Sequence, residues 1–223
     1  MLQLHYFPGN ASLIAHLVLE EIGAPFELSY VDRAQAAHKA AGYLALNPNG
    51  LIPVLVDDGA AATGGAGAPL VLYETAAICL HLADTHPEAG LLPGLGTPER
   101  AHAYKWLAWL TNTVHAALII YFYPERWADD AAGAAVVKAR AEAKIGAMLD
   151  QLDAELARRG GPWLLGPAFS VVDPYAFVLC RWTRGFSRPA RSLPHLKPFL
   201  DRMLARPAVQ RTLASEKLAQ PFV

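Results

Sequence analysis

A strand with a proline near its start has few places in a sheet, and Leu51-Ile52-Pro53-Val54-Leu55-Val56 is such a segment. Proline donates no ladder hydrogen bond, so it belongs at a sheet edge or among the first residues of a strand. The apolar run is too short for a helix, and Asn47-Pro48-Asn49-Gly50 ahead of it joins two turn dipeptides. A turn therefore delivers the chain into a buried strand, from Ile52 to Val56, and leaves the main chain of Leu51 and Ile52 to pair with something extended. Beyond a Gly/Ala-rich connection, Leu70-Val71-Leu72 reads as the next strand, and Glu74-Thr75 stands where a helix begins. Helix starts gather free N–H groups and the positive end of the helix dipole. An extended ligand that carries a carboxylate fits both features.

These residues resemble the glutathione transferases. Ile52-Pro53 is similar to the family's Val-Pro or Ile-Pro step, whose peptide bond is cis, and Tyr73-Glu74-Thr75 is similar to its Glu-Ser or Glu-Thr glutathione-binding pair. The resemblance runs along essentially the whole chain. It implies the glutathione transferase fold, an α/β thioredoxin-like N-terminal domain followed by an all-α C-terminal domain, and a homodimer.

The composition agrees with a folded chain that handles small molecules. Of 223 residues, 53% are hydrophobic and 17% charged, which supplies a core and lacks the signature of disorder. A net charge of -1 gives no basic footprint for nucleic acid and no polybasic membrane patch. The strand-like Leu2-Gln3-Leu4-His5-Tyr6 has no signal-peptide pattern, and no run reaches membrane-spanning length, so the expected location is cytoplasmic. Cys79 and Cys180 each sit in an apolar helical pattern outside any Cys-x-x-Cys motif, and both read as buried and inert.

Taken in order, alternation at Leu2, Leu4 and Tyr6 predicts a strand, and a helix follows from near Ser12 until Gly23 and Pro25. Phe26, Leu28 and Tyr30 supply a strand parallel to the first, since a strand, a helix and a strand form a crossover unit. A short Ala-rich helix is expected around Gln35 to Tyr43. The strands at Ile52–Val56 and Leu70–Leu72 flank a Gly/Ala connection from Asp57 to Pro69 that reads as a mobile flap, and Glu74 to His86 is helical. The order is thioredoxin-like and places one domain over 1–86. Pro and Gly mark 87–97 as a linker, and 98–223 reads as helical throughout. Trp106, Leu110, Val114 and Leu118 form one stripe there, and Ile145, Leu149, Leu152 and Leu156 another. Ser170-Val171-Val172-Asp173 is a capping box, which serves folding rather than chemistry and also resembles the Ser/Thr-x-x-Asp box of the family's core helix.

Glutathione chemistry requires an ionised thiol, whose free pKa is about 8.5. One hydrogen-bond donor beside a helix N-terminus can lower it. Pro8-Gly9-Asn10-Ala11-Ser12, between the first strand and first helix, is the place for that donor. The segment resembles the beta-class pattern Pro-Gly-Ala-Cys-Ser but departs from it at Ala11, where the family has its cysteine, and without that cysteine the mixed disulfide of protein and glutathione known in the beta class is not expected. Ser12 reads either as a donor to sulfur or as a helix cap, and Asn10 either as a donor or as a turn residue. His115 lies beside an apolar stripe and resembles the histidine that faces the glutathione sulfur from the helical domain; a neutral imidazole there would polarise the thiol or take its proton.

The resemblance gives the γ-glutamyl end to Glu74 and Thr75, the cysteinyl main chain to Leu51, Ile52 and Pro53, and the glycine carboxylate to His38 or Lys39. The alternatives for these are an ordinary acidic helix start and a solvated surface. An apolar co-substrate is placed near Asn112, His115, Phe122 and Trp182. The eight histidines form no metal-ligand motif, so glutathione is the only expected cofactor and no metal is. The expected activity is attack of the glutathione thiolate on an electrophilic hydrophobic co-substrate, as in detoxification. A glutathione-dependent disulfide reductase or peroxidase, and a non-catalytic binding or assembly module, are the alternatives.

Overall fold

In the computed structural model, which describes residues 1–59 and 68–223, the described strands are β1 (Leu2–Tyr6), β2 (Phe26–Tyr30), β3 (Val54–Asp57) and β4 (Leu70–Tyr73). They lie in the order β2-β1-β3-β4, with β2 parallel to β1 and β3 and β4 antiparallel. Of the connection read as a flap over 57–69, residues 60–67 lie outside the described residues, and Asp57 is the last residue of β3. β3 is an interior strand that starts at Val54 rather than Ile52. Pro53 stands just ahead of it, so the missing donor costs the ladder nothing; the first pairs are His5 with Val54 and Val54 with Tyr73.

Side chains alternate across β3 as the pleat requires. Leu55 is fully buried, whereas Val54 and Val56 join Val31, Tyr43 and Ile52 in a small separate core with Phe7, Ala37 and Leu46. Helix α1 (Ser12–Ile22) is buried from Ser12 to Leu19 and stops at Gly23, whose φ of 74° suits a residue without Cβ. A helix apolar on all sides must be covered on all sides. The single helix expected over Gln35 to Tyr43 is instead a 3-10 turn at Ala37–Lys39 and the one-turn α2 (Ala41–Leu44). The reason is local: Asp32 Oδ1 accepts from the N–H groups of Ala34 and Gln35, and Ala36 takes a left-handed φ of 53°. Ala40 is then extended and separates the two pieces. Helix α3 (Thr75–Thr85) buries Ile78, Cys79 and Leu82.

Two compact units result. The first comprises Met1–Gly90 and Pro207–Leu218, the second Leu91–Arg206 and Ala219–Val223. In the second, α4 (Pro98–Trp109) is capped by Thr97, whose hydroxyl accepts from Arg100 N–H. A π-helical stretch, Leu110–His115, leads into α5 (Ala116–Phe122), which ends before Pro124. Trp106, Leu110, Val114 and Leu118 are all buried, although the wider π turn interrupts the regular period. The long α6 (Ala131–Arg159) starts on Asp130, which accepts from Gly133 N–H, and ends at left-handed Gly160. Its stripe of Ile145, Leu149, Leu152 and Leu156 is buried, and each such side chain contributes about 1.5–3 kcal/mol. Helix α7 (Val172–Trp182) is buried from Val172 to Arg181 and forms the unit's core with α8 (Leu196–Ala205). The last helix, α9 (Pro207–Ser215), belongs to the first unit, where it covers α1 beside α3.

The two cysteines are buried and free, and burial pushes both thiols up to about 12. Neither ionises near neutral pH. At the start of α7, Asp173 accepts from Ser170 N–H, Ser170 Oγ and Leu164 N–H, while Ser170 Oγ accepts from Val172 N–H, one residue short of the usual box. Burial outweighs those bonds and pushes the Asp173 carboxyl up to about 7. The folded state therefore holds a proton that the unfolded chain releases near pH 4, so this group's contribution to stability falls as pH rises from about 4 to about 7. Urea unfolding across that range is expected to show a steeper decline for the native chain than for Asp173→Asn; parallel curves would contradict it.

Candidate functional site

The strand register brings three segments of the first unit to one end of the sheet. β1 leaves the sheet there into Phe7–Ala11, β3 enters there after Leu51-Ile52-Pro53, and β4 leaves there into Glu74-Thr75. His5, Val54 and Tyr73 form the row that aligns them. Strands lie about 4.8 Å apart, so the segments span roughly 10 Å across two gaps.

The middle segment is held from beneath. The Ile52-Pro53 peptide is cis, Ile52 and Pro53 are buried, and Leu51 projects with 59% of its surface exposed. Asn47, buried in the turn, donates from Nδ2 to the Leu51 carbonyl at 2.8 Å and accepts from Asn49 N–H at 3.1 Å. The Tyr43 hydroxyl donates to the same carbonyl at 2.8 Å. Gly50 has a φ of 58°, and a Cβ there would stand 2.8 Å from both the His38 carbonyl and Lys39 Nζ. Only glycine fits. Lys39 Nζ donates to the Asn49 carbonyl at 3.2 Å, which fixes a cation beside the turn. His38 lies next to it, with its imidazole pKa lowered by burial and by the Arg33 and Lys39 charges, and its Nδ1 is buried with no hydrogen-bond partner among the described residues.

Glu74 is exposed and has a φ of 74°, a conformation that costs a non-glycine residue about 1–3 kcal/mol. Its carbonyl accepts from Ile78 N–H, which starts α3. The N–H groups of Thr75, Ala76 and Ala77 thus stand before the first intrahelical bond, where an anion can use them.

At the third segment, Ala11 caps α1 without a side-chain bond, and Ser12 is its first residue. The Ser12 hydroxyl is fully buried; it donates to the Phe7 carbonyl at 3.1 Å and accepts from Phe7 N–H at 3.2 Å, closing the loop. Asn10 differs. Its Oδ1 accepts from Ala11 N–H at 2.5 Å, so the donor capacity of the side chain rests with Nδ2, and Asn10 is half-buried. Gly9 N–H donates to Glu216 Oε2 at 2.7 Å, and Glu216 Oε1 meets His16 Nδ1 at 2.8 Å in a fully buried pair. No local pattern marks His16 or Glu216, because 200 residues separate them.

In the second unit, His115 closes the π-helical stretch. Its Nδ1 is 3.5 Å from the buried Tyr175 hydroxyl, which also accepts from Thr111 at 3.1 Å, and its ring meets Trp182 edge-on at 5.0 Å. Phe122, exposed, stands at right angles to Trp182 at 6.4 Å, so three of the residues expected around a co-substrate share one aromatic surface. Asn112 is exposed on the same π-helical stretch. Burial lowers the His115 imidazole to about 4, so it is neutral at pH 7. Its ring proton resonances are expected to hold still from pH 8 to pH 5 and to move near pH 4. Titration close to 6.5 would show that burial does not control this group.

Among the described residues, no group of three or more His, Cys, Asp or Glu could hold a metal ion, and no helix is long and apolar enough to cross a membrane. Comparison with known proteins gives a consistent result across both units. Residues 11–85 match the family profile described as glutathione S-transferase, N-terminal domain, and residues 110–207 match the corresponding C-terminal domain. Glutathione S-transferase GstA of Escherichia coli O157:H7 is 30% identical over 97% of this chain and 100% of its own length. Glutathione S-transferase GST-4.5 of Xanthomonas campestris pv. campestris is 34% identical, again over 97% and 100%. The crystal structure of a glutathione transferase homologue from Sulfitobacter, with bound glutathione, matches with a TM-score of 0.84 at 30% identity, over 98% of this chain and 99% of that one.

Proposed function

The chain belongs to the glutathione S-transferase family, and from that premise we propose that its first unit binds glutathione and activates the thiol for attack on an electrophilic hydrophobic co-substrate. One observation carries the reading: the row His5, Val54 and Tyr73 sets three ligand-ready segments at one end of the sheet. An extended tripeptide is about 10 Å long, which matches two inter-strand gaps.

The chemistry of each segment suits one part of the tripeptide. Glu74 offers a carboxylate to the γ-glutamyl ammonium, and Thr75 with the first N–H groups of α3 receives the adjoining carboxylate. Leu51, Ile52 and Pro53 present the main chain to the cysteinyl residue. Lys39, held at the turn, or His38 beside it, faces the glycine carboxylate. The sulfur then falls toward the loop before α1. There the Ser12 proton is committed to the Phe7 carbonyl, so Asn10 Nδ2 is the better donor to a thiolate, reinforced by the helix start. Within the second unit, the aromatic surface of Phe122 and Trp182 suits an apolar molecule, and neutral His115 beside it offers a hydrogen bond. The reading extends to a cytoplasmic homodimer that works without a metal.

Calorimetric titration with reduced glutathione, and with the oxidised form in parallel, tests this. Binding of the reduced form is expected, with Glu74→Ala about ten- to hundredfold weaker, the effect of losing a charged hydrogen bond. Preference for the oxidised form would favour disulfide reduction, and binding of neither would remove the assignment. Asn10→Ala is expected to raise the pKa of the bound thiol, read from thiolate absorbance. An unchanged titration would return the donor role to Ser12 or His115.

A further inference from the structure

The Leu51 carbonyl is an unusual acceptor for an exposed turn. Two donors reach it from below, the hydroxyl of buried Tyr43 and the Nδ2 of buried Asn47, both at 2.8 Å. Both donors are themselves held in place. Asn47 is fixed in turn by Asn49 N–H on its Oδ1, and the Tyr43 ring by the His5 ring, edge-on at 5.9 Å. Burial pushes the Tyr43 hydroxyl up to about 12, so it remains a donor throughout the physiological range.

The consequence lies in the peptide plane. The Leu51 carbonyl and the Ile52 N–H belong to one planar trans peptide unit, in which C=O and N–H point in opposite directions. A carbonyl clamped toward the interior turns the N–H outward. Ile52 lies outside the ladder, whose first pair on β3 is at Val54, and its N–H makes no hydrogen bond among the described residues. We propose that Tyr43 and Asn47 are positioning residues, whose joint clamp on the Leu51 carbonyl aims the Ile52 N–H at the cysteinyl carbonyl of glutathione. The clamp rests on the glutathione reading given above. It assigns affinity to two side chains that never touch the ligand.

Without the clamp the Leu51–Ile52 peptide plane is free to rotate, and the N–H must be re-ordered whenever ligand binds. That loss belongs to one ligand contact rather than to the whole unit. Tyr43→Phe removes a single donor and keeps the ring against His5, and Asn47→Ala removes the other donor. The experiment is a titration of the full chain with reduced glutathione, followed by calorimetry and by amide resonances assigned for Ile52 and Thr75.

In the native chain both amides are expected to shift on binding. In Tyr43→Phe, affinity is expected to fall about three- to tenfold, with the Ile52 shift reduced and the Thr75 shift retained; the double variant falls further. Equal affinity with an unchanged Ile52 shift would overturn the proposal. So would weakened binding in which Ile52 and Thr75 lose their shifts together, since that is the mark of a general structural role. If the native chain bound no glutathione, the functional reading would fail first and carry the clamp with it. If Tyr43→Phe unfolded, Asn47→Ala and Asn47→Ser would give the same paired readout.

Discussion

The site depends on the pairing of Val54 with two neighbours, His5 on one side and Tyr73 on the other. Were β3 at an edge, only one of those neighbours would exist, and the loop before α1 and the start of α3 would not flank the same turn. Pro53 permits the interior position because it stands one residue outside the ladder. The strand is thus central, while the peptide units immediately ahead of it stay open to a ligand.

Much of this was legible in the sequence because it is local chemistry. Asn-Pro and Asn-Gly require a turn, Gly23 and Gly160 stop helices, and apolar residues at helical spacing mark the faces that the structure buries. The capping aspartate at 173 was legible for the same reason. Where three residues decided the matter, three residues sufficed.

The remainder depended on partners far away in the chain or on backbone states without a residue signature. The π-helical stretch from Leu110 to His115 keeps the same buried residues that a regular helix would bury, so periodicity cannot distinguish them. The break near Ala36 and Ala40 arises in an Ala-rich segment whose propensity favours helix, and the Asp32 turn overrides it. Ser12 looked like a cap or a catalytic donor because both use a hydroxyl at a helix start. Its observed partners are the N–H and carbonyl of Phe7, which only the folded loop brings together.

Helix α9 also bears on how the chain is made. Gly9, in the loop before α1, is held by a carboxylate 207 residues later. Domains emerging from a ribosome fold as they are completed, usually N-terminal first. Here the first unit is an exception to that order. A nascent chain that has released residues 1–90 has the four described strands but neither the α9 side of the cover over α1 nor the anchor for Gly9, and it must wait for nearly the entire second unit before its own fold is finished. The loop before α1 therefore gains its anchor last, although its residues are among the first to be synthesised.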